Sequence, residues 1–397
     1  MRKLFFSLAI FFPVVCFSQQ VTVRLDKTGT PISPYMWGIF YEDINYSGDG
    51  GLNADLVQNG SFEYYPFFTT NSPEPVNFHP MFAWKTESRE GGEGSAYVSA
   101  NNPLNANNPH NLEILQDEDK GWFGVRNTGY DGMVVKEGQK YDFSAYVSVW
   151  KQRLPMRPGG GGAQPAGPQS GGARPAGQPG GQPGGGDVSV MMRRMAVSPA
   201  TIRVELRNGD DELLDFAEFD NDALDRDWRQ IAATLTPSKS CTHASLVILV
   251  KGHNLTKLDM VRLVPEDTFK GHGMRKDLAQ TVADLHPAFM RFPGGCIIHG
   301  GDLENTYHWK ETIGDPSQRK NIWSRWGYFQ SMAIGYYEYF IFCEDIGAIP
   351  LPVLPVGVSC GFEKYEVCPL MNWAALSARF LTLLNSPTVP YPHIGEA

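Results

Sequence analysis

Residues 276–295 read KDLAQTVADLHPAFMRFPGG, and this stretch decides the fold of the second half of the chain. Three apolar residues share one face of the helix predicted over residues 276–286: Leu278, Val282 and Leu285. Pro287 ends this helix. A short apolar strand predicted at residues 288–292 then runs directly into Pro293-Gly294-Gly295. The stretch therefore predicts a helix followed by a strand that ends in a tight, glycine-rich turn.

The same alternation continues along the chain. An amphipathic helix is predicted over residues 328–346, with Gly347 in the position that follows a helix end. Residues 349–356 (IPLPVLPV) follow as a buried strand, whose prolines argue against a central antiparallel position. Helices alternating with strands predict a parallel sheet that is covered by helices.

Near the N-terminus, residues 36–43 (MWGIFYED) form an apolar run that ends in Glu42 and Asp43. A strand that delivers charge at its carboxyl end is typical of a (β/α)₈ barrel. An ordinary sandwich strand with both acids in a turn explains the run equally well, and the stretch alone leaves both readings open. Before it, Val21, Val23 and Leu25 alternate as an edge strand would.

Between these segments, residues 61–268 show short alternating strands and little helical periodicity. Strands are predicted at residues 141–150, 200–206 and 243–250, a spacing that favours a β-sandwich of the jelly-roll type. Residues 154–187 interrupt it with a Gly/Pro/Gln tract, which buries too little apolar surface to order itself and is predicted to be a disordered loop.

Aromatic residues in this sandwich are candidate platforms for sugar rings, although most such rings form protein cores. They are Trp84, Trp122, Phe123, Tyr130, Tyr146, Trp150 and Trp228.

The first 18 residues have the pattern of a secretory signal peptide. Arg2 and Lys3 precede an apolar core, and cleavage is predicted after Ser18. The apolar stretch is short for a membrane span, so a retained anchor is the alternative. We therefore expect a periplasmic or extracellular protein that has no contact with the membrane after cleavage.

Charge and cysteine usage restrict the function classes. The chain of 397 residues carries a formal net charge of −9 and contains no block of basic residues, which argues against nucleic acid as a partner. Its six cysteines are widely spaced without a CxxC pair, so neither a zinc site nor a dense disulfide framework is predicted. No cofactor or other metal site is assigned. A Cys360–Cys368 disulfide is one possibility, and buried thiols are the other.

Five ordered motifs resemble those of a known enzyme family. They are MWGIFYED at 36–43, GGLNADLVQNGSFE at 50–63, KGHGMRKDL at 270–278, MRFPGGC at 290–296 and HWKETIG at 308–314. Together they resemble the α-L-arabinofuranosidases of glycoside hydrolase family 51, in the subgroup with a carbohydrate-binding-module-like sandwich inserted after the first barrel strand. The resemblance covers residues 20–369 and implies an α/β plus all-β protein, with the first three strands of a TIM (β/α)₈ barrel and an inserted jelly-roll sandwich.

The resemblance implies a retaining, exo-acting α-L-arabinofuranosidase that releases terminal arabinofuranosyl residues from arabinan or arabinoxylan. Members of the family use one glutamate as acid/base, in a Gly-Asn-Glu motif on barrel strand 4, and a second as nucleophile on strand 7. Neither has a counterpart in this sequence, so no catalytic residue is assigned. Residues 394–396 (IGE) lack the asparagine of the acid/base motif.

Substrate-side positions do match the family. The resemblance implies that Glu42 hydrogen-bonds arabinose hydroxyls, and that Arg291, Gly294 and Gly295 shape the sugar site. Cys296 stands where some relatives have a sugar-contacting asparagine, although a thiol is a poor donor. An ion pair between Arg291 and Glu42 is the alternative role of that arginine. Oligomerisation of an intact enzyme is left open.

Residues 371–397 no longer resemble the family, whereas a one-base shift of reading frame can restore several family-like segments in order. We therefore predict an out-of-frame tail there. The expected order is a signal peptide (1–18), the N-terminal strand with the first barrel strand (19–60), the sandwich (61–268), a partial barrel (269–370) and the tail (371–397).

Three functional readings follow. The first is an N-terminal part of a secreted arabinofuranosidase that is inactive by itself, because a partial barrel lacks both glutamates and exposes apolar surface prone to aggregation. The second is a non-catalytic carbohydrate-binding protein that acts through its sandwich. The third is an enzyme completed by another chain.

Overall fold

The computed structural model describes residues 23–26, 28–65, 78–116, 120–151, 200–220 and 226–360. The predicted signal peptide, the predicted loop at 154–187 and the predicted out-of-frame tail lie outside the described residues. So does Cys368, and with it the suggested pairing of Cys360.

The first strand, β1 (Ile39–Phe40), precedes a long antiparallel region. Eleven strands follow: β2 (Trp84–Arg89), β3 (Gly94–Ser99), β4 (Asn111–Gln116), β5 (Trp122–Asn127), β6 (Met133–Val135), β7 (Tyr141–Lys151), β8 (Thr201–Arg207), β9 (Leu213–Asp220), β10 (Arg229–Leu235), β11 (Cys241–Lys251) and β12 (Asn254–Pro265). They form a five-stranded sheet in the order β10-β7-β12-β4-β3 and a second sheet in the order β2-β5-β11-β8-β9, with β6 paired to β11.

A single apolar core lies between these two sheets. On β7 the buried apolar residues are every second one, including Phe143, Ala145 and Val147. Alternation of this kind places one face of a strand in the core. The predicted β-sandwich is confirmed, and each of its three predicted strands lies within about two residues of an observed one.

The remaining elements form an α/β unit. They are α1 (Lys276–Ala283), β13 (Phe289–Phe292), α2 (Cys296–His299), β14 (Ile322–Trp323), β15 (Phe329–Gln330), α3 (Tyr336–Ile346) and β16 (Ile349–Pro352). Strands β1, β13 and β16 pair in parallel in that order. The predicted parallel sheet is therefore confirmed, and the reading of residues 36–43 as an ordinary sandwich strand is wrong.

The long helix begins eight residues later than predicted. Residues 329–330 pair with residues 322–323 in a hairpin, and the helix starts only after Gly335. Tyr328, Gln330 and Ser331 donate hydrogen bonds to two buried carboxylates, Asp43 and Asp49. These long-range contacts fix an extended backbone over a segment whose apolar spacing is also compatible with a helix. The C-terminal end was predicted correctly, with Gly347 at φ 71°.

The edge strand predicted from Val21, Val23 and Leu25 is absent from its described part. Residues 25–26 lie in a turn, and Val23 and Leu25 are exposed. A strand needs a partner for its backbone hydrogen bonds, and none of the described residues pairs with this segment.

The parallel sheet has one covered and one exposed face. Met290 and Phe292 are fully buried against the helices. Side chains of the opposite face lie in register across the strands, with Phe40 beside Arg291 and Arg291 beside Leu351. Phe40 is 53% and Leu351 49% exposed. The strand at 349–356, expected to be buried, is thus shorter and half exposed, because no described element covers this face.

Candidate functional site

The candidate site lies where strands β1 and β13 end. Tyr41, the residue after β1, donates its backbone N–H to the carbonyl of Arg291, 2.8 Å away. Glu42 comes next, and the Pro293-Gly294-Gly295 turn follows β13. Since neighbouring parallel strands end at the same edge of a sheet, the structure brings Glu42 and this turn together, as the sequence predicted.

Two donors hold the Glu42 carboxylate. Its Oε1 accepts a hydrogen bond from the backbone N–H of Ile297, at 3.0 Å, and a longer one from Nε1 of Trp326, at 3.3 Å. Ile297 belongs to the first turn of α2, and Trp326 lies in the turn between β14 and β15. The carboxylate is half-buried, so it is fixed in position while still open to a ligand.

The glycines of the turn allow Glu42 to approach closely. A Cβ placed on Gly294 would lie 2.3 Å from Cγ of Glu42, and φ at this residue is 147°, where glycine is favoured. A Cβ on Gly295 would lie 3.9 Å from Oε2 of Glu42, an ordinary contact. Position 294 therefore requires glycine, both because a Cβ would clash with Glu42 and because of its backbone conformation.

Arg291 lies on the exposed face of the parallel sheet. Its guanidinium is 4.7 Å from the centre of the Phe40 ring, which is a cation–π contact. The ion pair with Glu42 that the sequence left open is not formed, because Arg291 lies over Phe40 and Glu42 accepts from Ile297 and Trp326. Arg291 thus points along the sheet face, and the Glu42 carboxylate is held by uncharged donors.

Cys296 is the first residue of α2 and is half-buried beside a second thiol, that of Cys360. Burial, followed by the neighbouring Cys360, raises the pKa of the Cys296 thiol. The thiol is therefore protonated at neutral pH and is only a weak hydrogen-bond donor to a ligand.

Two residues at the site were not predicted from the sequence. Trp326 is 41% exposed and contacts Glu42, and Arg325 donates through Nη1 to the carbonyls of Gly300 and Cys360. The only local signal was an aromatic residue followed by Gly327 in an unassigned loop. Their placement depends on the hairpin of β14 and β15. This hairpin was not predicted, because the apolar spacing from residue 328 onward is compatible with a helix.

Directly behind Glu42 lies a buried carboxylate, Asp43. It accepts hydrogen bonds from the backbone N–H of Gly48 at 2.9 Å, from the Tyr328 hydroxyl at 3.0 Å and from the Gln330 amide. Burial, followed by the charge of Asp49, raises the pKa of Asp43. Asp43 therefore ties the segment after β1 to the hairpin that carries Trp326.

The arrangement suits recognition of a hydroxyl-bearing ligand. A carboxylate accepts hydrogen bonds from hydroxyl groups, and an exposed indole offers an apolar face to a sugar ring. Among the described residues there is no group of three or more His, Cys, Asp or Glu side chains able to hold a metal ion.

Comparison with known proteins identifies relatives. A family sequence model described as "Alpha-L-arabinofuranosidase 1 domain" matches residues 281–389. An "Extracellular exo-alpha-L-arabinofuranosidase" of Streptomyces chartreusis is 33% identical over 87% of this chain and 35% of its own length. "Alpha-L-arabinofuranosidase 1" of Arabidopsis thaliana is 31% identical over 88% of this chain and 45% of its own length.

A solved structure has the same fold. An arabinose-bound α-L-arabinofuranosidase of glycoside hydrolase family 51 superposes with a TM-score of 0.63 and 24% identity, covering 82% of this chain and 45% of the other. This chain thus spans less than half the length of the relatives described here. In sequence and in fold, over that portion, the chain is a relative of the α-L-arabinofuranosidases of glycoside hydrolase family 51.

Proposed function

We propose that this chain forms the arabinose-binding side of a retaining, exo-acting α-L-arabinofuranosidase that removes terminal arabinofuranosyl groups from arabinan or arabinoxylan. The parallel strands β1, β13 and β16 are the first three of a TIM barrel, into which the β-sandwich is inserted after the first. The order of these strands and the likeness to the family 51 structure support this assignment.

The observation that carries the proposal is the geometry of Glu42. Its carboxylate stands at the carboxyl end of a parallel strand, where barrel enzymes bind substrates. Donors from α2 and from Trp326 fix its orientation while leaving oxygen lone pairs for ligand hydroxyls. Gly294 keeps the space beside it free of a side chain.

Hydrolysis with retention requires two carboxylates about 5 to 5.5 Å apart, on opposite sides of the scissile bond. Among the described residues, the carboxylates nearest to Glu42 in sequence, Asp43 and Asp49, are buried and engaged by donors. Neither catalytic glutamate of the family has a counterpart in this sequence, so the proposal is that this chain by itself binds the sugar without cleaving the glycosidic bond.

Binding is tested by titrating the protein with L-arabinose and following tryptophan fluorescence. Glu42→Gln removes the charge at constant size. A hydrogen bond to a charged group contributes about 1.5–3 kcal/mol, so the dissociation constant should rise about 10- to 100-fold. Glu311→Gln, at an exposed position of the same unit, is the control and should bind as wild type. Equal affinity of Glu42→Gln and wild type would refute the assignment.

Turnover is a separate test. The purified chain is incubated with an aryl α-L-arabinofuranoside, and nitrophenol release is measured. No release is expected. Release by the chain alone would overturn the proposed absence of cleavage, and release only after adding a second protein would favour an enzyme completed by another chain.

A second candidate function, sugar binding by the sandwich alone, is favoured by the outer face of the five-stranded sheet. Tyr97 is 45% exposed there, and its hydroxyl donates to Glu113, which is also paired with buried Lys257 at 2.9 Å. Trp150 lies nearby, with the Lys257 ammonium 5.6 Å from its ring centre. Fixed charges beside the exposed Tyr97 ring and the half-buried Trp150 ring are suited to sugar stacking.

Retardation in a native gel containing soluble arabinan distinguishes the two candidates. If the sandwich binds, Tyr97→Ala should abolish retardation while Phe216→Ala should not. Phe216 is the matched control because it is an equally exposed aromatic residue on the other sheet. Retardation lost in Glu42→Gln instead would assign binding to the site at the parallel strands.

Export of the protein is part of the proposal. The relative from Streptomyces chartreusis is named an extracellular enzyme, and residues 1–18 have the pattern of a signal peptide. Within the described ranges, no helix is long and apolar enough to cross a membrane.

A further inference from the structure

We propose that Cys296 and Cys360 form a redox-active thiol pair that closes to a disulfide across the ends of strands β13 and β16. Cys296 opens the helix that follows the turn after β13, and Cys360 lies in the segment after β16. The two residues are distant in sequence, and the parallel pairing of the strands brings their ends together.

Main-chain contacts hold the two cysteines in the same place. The backbone N–H of Cys360 donates to the carbonyl of Gly300 at 3.3 Å, and the backbone N–H of Gly300 donates to the carbonyl of Cys296 at 3.2 Å. Arg325 donates to the carbonyls of both Gly300 and Cys360. These contacts place the two cysteines beside one another, and Cys360 is close enough to the Cys296 thiol to contribute to the rise of its pKa.

The other described thiols are unsuited to this role. Cys343 is buried in α3, where burial raises the pKa of its thiol to about 12. Cys241 lies in the sandwich, on strand β11. Cys296 and Cys360 are half-buried, as Cys241 is, and are therefore reachable by an oxidant. They differ from Cys241 in being linked to one another by main-chain contacts.

The reaction needs an external disulfide, for which glutathione disulfide serves as the probe. One protein thiolate attacks the glutathione disulfide, forming a mixed disulfide and releasing one glutathione thiolate. The second protein thiol loses its proton and attacks the protein sulfur of the mixed disulfide, releasing the second glutathione. Two protein thiols are oxidised and one external disulfide is reduced. Because the pKa of Cys296 is raised, the rate should increase with pH.

The experiment is a peptide map of the full chain. Protein that has been reduced and then equilibrated with excess glutathione disulfide is alkylated, digested with trypsin and analysed by mass spectrometry. Cys296 falls in the peptide 292–310, Cys360 in 326–364 and Cys368 in 365–379. The expected product, in more than half of the molecules, links 292–310 to 326–364.

The peptide 326–364 contains Cys343 as well as Cys360, so the map alone does not show which of the two is linked to Cys296. Single cysteine variants identify the linked residue. Cys343→Ser should retain the link, and Cys296→Ser should abolish it. A link between 326–364 and 365–379, or separate alkylation of Cys296 and Cys360 after oxidation, would overturn the proposal. The pair does not depend on the proposed activity, so neither result alters the test of arabinose binding.

Discussion

At the scale of single residues, Gly294 sets how closely the turn after β13 approaches Glu42. We expect Gly294→Ala to lower the free energy of unfolding, because the added Cβ would lie 2.3 Å from Glu42 Cγ. The matched control is Gly273→Ala, which also has a positive φ but no atom within 4 Å of the added Cβ. Overpacking costs about 1–3 kcal/mol, so urea unfolding should show Gly294→Ala less stable than the control by this amount. Equal losses of unfolding free energy in the two variants would show that Glu42 can move away from the added Cβ without destabilising the fold.

Asp43 supplies a pH dependence of stability. Burial, followed by the charge of Asp49, raises the pKa of Asp43 above its ordinary value of 3.8. The native protein therefore holds this proton more tightly than the unfolded chain does. The contribution of Asp43 to stability is present below pH 3.8 and is lost as the pH rises through the raised pKa.

The variant Asp43→Asn has no carboxyl group that titrates at this position. Its stability relative to wild type should therefore increase as the pH rises through the raised pKa of Asp43. Its amide can be accommodated, because the buried Oε1 of Gln330 has no hydrogen-bond partner among the described residues and can accept from it. Urea unfolding of both proteins between about pH 4 and pH 8 measures the difference. A difference that stays constant with pH would show that Asp43 titrates alike in the folded and unfolded chains.

At the scale of elements, the sequence predicts those helices and strands whose positions are set by local apolar spacing, proline and glycine. Helix α1, strand β13 and the end of α3 at Gly347 follow from spacing, proline and glycine, and each lies close to its predicted position. The hairpin of β14 and β15 was missed because its backbone is fixed by Asp43 and Asp49, which precede it by more than 270 residues. For the same reason Glu42 and Gly294 were predicted at the site while Trp326 was not.

Helix α3 is anchored at its start by one buried ion pair. Arg319 is 2% exposed and donates two hydrogen bonds to Glu338, at 2.8 and 2.9 Å, while Glu338 also accepts from the backbone N–H of Gly335. Removing one partner of a buried pair costs about 3–5 kcal/mol, so Arg319→Ala should lower the free energy of unfolding by about that amount.

The control for this prediction is Arg275→Ala, which breaks a pair with Asp277 on the surface. The side chains of Arg275 and Asp277 are 36% and 62% exposed, and a surface pair of this kind contributes less than about 1 kcal/mol to stability. Urea unfolding of the two variants measures the contrast. Similar losses would mean that the start of α3 is held by packing of the helix and not by Arg319.

At the scale of the whole molecule, the sandwich and the α/β unit are joined through the loop between β3 and β4. Asn108 is fully buried, and its Nδ2 donates to the carbonyls of Ser317, at 3.1 Å, and Arg319, at 2.8 Å. Its Oδ1 accepts from the backbone N–H and the side chain of Asn321. Local periodicity cannot reveal such a junction, because every partner lies more than 200 residues away in sequence.

We expect Asn108→Ala to loosen this junction, since each buried polar group left unpaired costs about 1–3 kcal/mol. Hydrogen exchange should accelerate at the amide of Asn321, which donates to Asn108, and the thermal midpoint should fall by about 2–4 °C per kcal/mol lost. Asn107→Ala, from the same loop, removes one exposed hydrogen bond to Gln318 and should leave exchange at Asn321 unchanged. If both variants exchange like wild type, the two units are held together by contacts other than this asparagine. Faster exchange confined to Asn108→Ala would identify it as the side chain that fixes the α/β unit against the sandwich.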